Sequence, residues 1–230
     1  MQVLIVSATL LEIKKLIDDL KFDKKNEQFY YKQLANSTID VLIGDIGIAF
    51  TIYSLSKALS KKNYDLVINT GIAGSLTEKL KIGDVAQVAS EEFADLGIRS
   101  EREFSTLFEM GFMDKNEFPF TEGKLINPDV ENNLFHHLKS VKGITVNAVN
   151  GNKKEIEKLK EKFDADIECM EGAAVFYICL MEKIPFAEIR AISNYVEERN
   201  KDKWDIPLAI GNLTEEIKYV LKNIETFLKA

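Results

Sequence analysis

Glu12, Glu171, Arg190 and Asn194 are the side chains in this sequence best suited by type and position to do chemistry. Two carboxylates can divide acid–base work, one taking a proton while the other binds hydroxyl groups. A guanidinium can orient either of them, and an amide can hydrogen-bond a departing group. Three of the four also have a plain structural explanation. Glu12 and Glu171 both fall at the start of a helix, where the macrodipole favours an acid. Asn194 closes a strand, as turn-forming residues do. Likewise, Thr70-Gly71-Ile72-Ala73-Gly74 reads as a tight turn with close helix packing. Arg190 is harder to dismiss, because it lies in an apolar run where a buried guanidinium needs partners.

These side chains need a scaffold, and the spacing of apolar residues describes one. Residues 3–6 form a buried strand, followed by a helix whose Leu10, Ile13, Ile17 and Leu20 recur at three- and four-residue steps. Residues 39–43 form the next strand, and Ile48, Ile52, Leu55 and Leu59 mark the helix after it. Another strand spans 66–69 and ends in the turn at 70–74. Further strands are expected at 83–89 and 145–149, then a helix around Ile156, Leu159 and Phe163. The segment 171–183 is a helix so apolar that it must be buried. A strand at 185–193 and a long amphipathic helix at 213–228 close the chain.

Strands alternating with helices predict an α/β fold with a mostly parallel sheet covered on both faces. Such folds collect ligands outside the carboxyl ends of the strands. Ser7-Ala8-Thr9 with Glu12, the segment 69–74, Glu168-Cys169-Met170-Glu171 and the segment 190–194 would therefore meet at one rim. Residues 93–127, with Phe104, Phe108, Phe112, Phe118 and Phe120 among charges, read as a loop-rich insertion that shapes a pocket or a subunit contact. No internal repeat or low-complexity linker interrupts the chain, which predicts one domain over residues 1–230.

Composition narrows the partners. A net charge of −7 argues against nucleic acid, whose binders neutralise phosphates with a basic stripe. Lysines 153, 154, 158 and 160 instead alternate with Glu155, Glu157 and Glu161, as on a solvated face. No apolar run approaches the roughly 20 residues that span a bilayer. Cys169 and Cys179 have no zinc-ligand spacing, are too few for a disulfide framework, and sit in apolar sequence as small hydrophobes. The start of the chain has no basic leader or cleavage site. A cytoplasmic setting is expected. His136 and His137 are adjacent and point to different helix faces, so no histidine metal site is expected. No Gly-x-Gly-x-x-Gly follows the first strand, which argues against a dinucleotide fold. Nothing calls for a cofactor.

Val-Ile-Asn-Thr-Gly-Ile-Ala-Gly (67–74), Leu-Lys-Ile-Gly-Asp-Val (80–85), Met-Glu-Gly-Ala-Ala (170–174) and Arg-Ala-Ile-Ser-Asn (190–194), in that order, resemble the nucleoside phosphorylase/nucleosidase superfamily. The resemblance runs through nearly the whole chain and is weakest from 93 to 150. It implies a three-layer α/β/α sandwich with a central mixed, mostly parallel sheet. It also implies a homo-oligomer, often with the pocket completed by a neighbouring subunit. Residues 170–210 most resemble the futalosine hydrolases, nucleosidases of the alternative menaquinone pathway.

Site roles follow from that resemblance. Glu12 matches a glutamate that activates water, whereas phosphorylases carry glycines and arginines there to hold phosphate. Arg190 would pair with Glu12 or Glu171. Glu171 would accept hydrogen bonds from ribose hydroxyls and Met170 would pack under the sugar. Ile72, Ala73, Gly74 and Ser193 would complete the nucleoside pocket. Asn194 departs from the aspartate with which adenine-releasing nucleosidases protonate the base at N7. Its amide can donate to N7 or reach O6, which suits a 6-oxopurine such as hypoxanthine. A 5′-methylthioadenosine/S-adenosylhomocysteine nucleosidase is the alternative that Asn194 opposes, and a nucleoside-binding module without catalysis is the other. Arg99, Arg102 and Arg199 are candidates for the substrate's 5′ end, and Trp204 is a candidate either for core packing or for stacking on the base.

Overall fold

The computed structural model describes residues 1–101, 103–131, 134–198 and 200–227. The chain opens with β1 (Gln2–Ser7), α1 (Leu10–Leu20), β2 (Asp23–Lys24), β3 (Phe29–Gln33), β4 (Thr38–Ile43), α2 (Ile48–Leu59) and β5 (Leu66–Ser75). It continues through β6 (Val85–Phe93), a small hairpin of β7 (Gly97–Arg99) and β8 (Phe104–Thr106), then β9 (Phe120–Thr121) and β10 (Lys124–Ile126). The last part holds β11 (Lys139–Thr145), α3 (Lys153–Lys162), β12 (Ile167–Cys169), α4 (Gly172–Glu182), β13 (Phe186–Tyr195) and α5 (Ile206–Phe227).

The expected α/β architecture with a mixed sheet is present. Parallel pairing joins β4 to β1, β1 to β5 and β5 to β13. A second parallel run joins β6, β11 and β12. The two runs meet through antiparallel pairs, β12 with β5 and β13 with β6, so β5, β13, β6, β11 and β12 form a closed circuit. Helices α1 and α5 cover one face, where Ile13, Leu16, Leu213 and Ile217 pack on Ile5, Ile68 and Ile189. Helices α2 and α4 cover the other, where Leu55, Val175, Phe176 and Cys179 pack on Leu4, Val67 and Val88.

Several boundaries differ from the sequence reading. The 70–74 segment is not a turn but the second half of β5, held on both edges by β13 and β12. The strand expected at 145–149 lies at Lys139–Thr145, and α5 begins at Ile206 rather than 213. Residues 93–127 are partly ordered into strands, and β10 pairs with β6 to extend the sheet. Phe108 and Phe120 pack edge to face on the α2/α4 side. Among the described residues, no helix is long and apolar enough to cross a membrane.

Candidate active site

Glu12 is placed by its own helix start. Thr9 is the N-cap of α1, and a reciprocal capping box ties the two residues together. Glu12 Oε2 accepts from Thr9 N at 3.0 Å and Thr9 Oγ1 at 2.8 Å, while Oε1 accepts from Ile72 N at 3.1 Å across the sheet. The structural explanation for Glu12 is therefore correct and also incomplete. The cap holds one oxygen, and the other crosses to β5, leaving Glu12 8% exposed in the wall of a cavity.

Gly71 explains how Arg190 reaches the same place. The two residues are in register across β5 and β13, and the guanidinium folds over the bare glycine. A Cβ at Gly71 would lie 2.5 Å from Arg190 Nη1 and 2.7 Å from Glu12 Oε1. Arg190 is 1% exposed, and its Nε donates to Glu188 Oε1 at 2.7 Å. Its Nη1 lies 3.8 Å from Glu171 Oε2, so the expected contact with Glu171 is present as a long ion pair. No ion pair forms with Glu12, and Arg190 does not line the cavity. Its main partner, Glu188, was not anticipated. Burial pulls the arginine's pKa down, but the charges of Glu188, Cys169 and Glu171 outweigh this and raise it.

Beneath Arg190 lies a buried polar cluster. Glu91 Oε2 accepts from Thr145 Oγ1 at 2.8 Å, and Cys169 Sγ lies 3.5 Å from Glu91 Oε1. Burial, then the charge of Glu188, raises the Glu91 pKa, with the Thr145 hydroxyl and Arg190 opposing. Cys169 and Cys179 both pack in the apolar core on the α2/α4 side, as expected, and the Cys169 thiol also meets the carboxyls of this cluster. Both thiols are free. Potential ligand atoms of Glu91, Cys169 and Glu188 come within 4.8 Å of one another, and Arg190 already supplies the cation that such a cluster needs.

Glu171 stands at the N-cap of α4 but does not cap it. Its Oε1 instead accepts from Gly47 N at 3.0 Å, where Gly47 takes φ +99° just before α2. Burial raises its pKa, with Arg190 opposing. At the far end, a bulge at Ser193 shifts the β13 register against β5 and brings Asn194 opposite Gly74. Asn194 Oδ1 accepts from Ser193 Oγ at 2.7 Å and its Nδ2 donates to Tyr195 O at 3.0 Å, which leaves one amide hydrogen free.

The cavity that joins these groups measures about 340 Å³, within the range of small-molecule pockets. Glu12, Ile72, Ala73, Gly74, Met170, Glu171, Ser193 and Asn194 all line it; of the sequence-predicted site residues only Arg190 stays behind the wall. Ile46, Val149, Tyr195 and Trp204 supply apolar surface, so Trp204 belongs to the pocket. None of the five phenylalanines between 104 and 120 lines it. Arg99 pairs instead with Glu155 at 3.1 Å in a separate concavity of about 570 Å³ beside α3, and Arg102 and Arg199 lie outside the described residues. Glu168, quoted in the sequence but given no role, also lines the pocket. Glu188 had a readable signal: charges at 188 and 190 share one strand face in an apolar run and must find partners together.

Residues 2–229 match the family model described as the phosphorylase superfamily. The chain is 29% identical over 218 residues to a futalosine hydrolase of Acidothermus cellulolyticus, covering 91% of this chain and 86% of the relative. It is 25% identical over 219 residues to a 5′-methylthioadenosine/S-adenosylhomocysteine nucleosidase of Haemophilus ducreyi, covering 92% of each. A solved structure of a futalosine hydrolase mutant from Helicobacter pylori strain 26695 superposes with a TM-score of 0.81 at 20% identity, covering 97% of this chain and 99% of that one.

Proposed function

The chain belongs to the phosphorylase superfamily, and from that premise we propose that it is a nucleosidase that uses water to cleave the N-ribosidic bond of futalosine and release hypoxanthine. The observation that carries this reading is the Glu12 carboxylate, tied to Thr9 and Ile72 N in the cavity wall. No lysine or arginine among the described residues lines that cavity, so a phosphate dianion would meet carboxylates rather than a clamp. A water there meets a base.

In this reading, Glu12 takes the proton of a water that attacks C1′. Oε2 already accepts twice from Thr9, so the contact falls to Oε1, which accepts only from Ile72 N and keeps a lone pair free. Glu171 accepts from the ribose hydroxyls, in bonds that strengthen as the sugar gains positive charge. Arg190 touches no substrate; it holds Glu171 from behind and crowds Gly71 beside Glu12, as a positioning residue. Met170 packs under the sugar, and the free amide hydrogen of Asn194 reaches the base. That donor suits a 6-oxopurine better than adenine, as the release of hypoxanthine from futalosine in menaquinone biosynthesis would require.

A cytoplasmic homo-oligomer, dimer or higher, fits the same reading. Phe50 and Tyr53 are 61% and 65% exposed one turn apart on α2, the helix that follows the cavity-lining Ile46. Light scattering after size exclusion measures the oligomer directly. For activity, the protein is incubated with futalosine, 5′-methylthioadenosine and inosine, each with and without phosphate, and the released base and sugar are identified by chromatography. Hypoxanthine and free sugar from futalosine without phosphate dependence is the expected result. Phosphate-dependent release would overturn the role of Glu12, and adenine as the main product would overturn that of Asn194. Tight binding without turnover would leave a binding module.

A further inference from the structure

We propose that Glu168 is the proton donor to the departing purine, the acid that Asn194 is unable to be. This inference rests on the nucleosidase reading and adds a residue to it. Glu168 on β12 pairs with Gly74 of β5, and Asn194 on β13 pairs with the same glycine from the other side. Residues directly opposed on neighbouring strands project from the same sheet face, and both side chains line the cavity. Gly74 leaves the space between them open: a Cβ there would come 3.2 Å from Asn194 Nδ2 and 2.7 Å from Val196 Cγ2.

Four glutamates line the cavity, and three are already engaged. Glu12 is held by Thr9 and Ile72, Glu171 by Gly47 and Arg190, and the exposed Glu197 by Lys203 at 2.6 Å. Glu168 is 6% exposed, and its Oε2 is buried with no hydrogen-bond partner. The charge acting on it is like in sign: Asp95, whose carboxylate is turned to the backbone and side chain of Asn147. Burial and that charge push the Glu168 pKa up to about 7. A carboxyl so placed in a cavity wall holds its proton up to near neutrality, which is the requirement for a general acid.

The step balances without a further reagent. Water attacks C1′ and gives a proton to Glu12, while the C1′–N9 electron pair passes to the purine. The Glu168 carboxyl gives its proton to a ring nitrogen of that purine and becomes a carboxylate. Solvent then returns one proton to Glu168 and takes one from Glu12.

The test compares an ordinary 6-oxopurine nucleoside with the same nucleoside methylated at N7, whose cationic base leaves without protonation. Glu168→Gln should lower kcat on the ordinary nucleoside by roughly 10²-fold or more, and leave kcat on the methylated one close to wild type. In the wild-type protein, which needs no variant to fold, kcat on the ordinary nucleoside should fall on the alkaline side of neutrality and stay level for the methylated one. Equal losses on both substrates, unchanged activity on the ordinary one, or the same alkaline profile for both would overturn the proposal. If wild type releases base from neither substrate, it is the nucleosidase reading that fails.

Discussion

Gly71→Ala is the sharpest probe of how the site is held together. The new methyl would sit 2.5 Å from Arg190 Nη1 and 2.7 Å from Glu12 Oε1, where ordinary contact needs about 3.5 Å. One or both groups must therefore move by up to about 1 Å. Arg190 has little freedom, being 1% exposed with its Nε on Glu188 at 2.7 Å. Glu12 is held by three hydrogen bonds from Thr9 and Ile72. Overpacking of this kind costs about 1–3 kcal/mol, a loss of roughly 2–12 °C in melting temperature for a chain of this size. A misplacement of about 1 Å at reacting groups can cost on the order of 10²-fold in rate. The expected outcome is a moderate fall in stability and a kcat reduced by about two orders of magnitude, with KM less affected. Gly44→Ala is the matched control, because its Cβ would meet nothing nearer than Val6 Cγ1 at 3.7 Å. The readouts are steady-state release of base and a thermal melt on each variant. Wild-type kcat in Gly71→Ala would refute the claim that the Glu12–Arg190 arrangement over β5 sets the rate.

Three further outcomes follow from the same geometry. Glu12→Gln should lose roughly 10²–10⁴ in kcat with modest change in substrate affinity, since glutamine still completes the capping box with Thr9; retained activity would leave Glu12 a helix cap only. Asn194→Asp should move the ratio of hypoxanthine to adenine released towards adenine, measured by competition between the two nucleosides, and an unchanged ratio would place the base contact elsewhere. Glu168 predicts a pH-dependent stability whose sign is opposite to that of an ion-paired carboxylate. Because folding raises its pKa from 4.5 to about 7, the folded chain holds a proton that the unfolded chain has lost between those values. Stability is therefore lost as pH rises through that window, by on the order of 3 kcal/mol above it. Glu168→Gln escapes the penalty, so melts should find the variant more stable than wild type at pH 8 and nearly equal to it at pH 4.5.

Local periodicity made much of this fold legible, and pairing partners were what it left out. The strands at the cores of β1 and β4 and the helices α1, α2 and α4 were readable because their apolar residues are local and regular. Residues 70–74 looked like a turn because two glycines in five residues usually mean one. Here the glycines are flat strand positions, bare because Arg190, Glu12 and Asn194 must cross them. Nothing in a single sequence says which strand lies beside which, so that use of glycine was invisible. Strand β11 was misplaced because Lys139, Ser140 and Lys142 break its apolar alternation. The early start of α5 did have a signal: Asp205 accepts from Leu208 N at 3.0 Å, and Pro207 suits a first helical turn. The candidate site residues on strand ends and helix starts were legible, whereas Glu91, Thr145 and Glu188 meet only through tertiary pairing.

The charges behind the cavity argue that this network exists for geometry rather than for stability. Burying Arg190 and Glu188 costs desolvation that their mutual attraction at 2.7 Å has to offset, and a well-packed apolar pair is often at least as stable. The arrangement is also not optimised for satisfaction, since Arg190 Nη2 and Glu188 Oε2 are buried without partners. What it does achieve is a guanidinium with a fixed tilt. Glu188 holds Nε, Glu91 packs beside the pair on Thr145 and Cys169, and Nη1 is left to face Glu171 over Gly71. A carboxylate that must strengthen its bonds to a sugar as charge develops gains most from neighbours that do not have to reorganise. The closed circuit of β5, β13, β6, β11 and β12 supplies those neighbours from strands rather than loops. The groups that touch substrate sit at the open ends of the same strands, where side chains have room to exchange a proton.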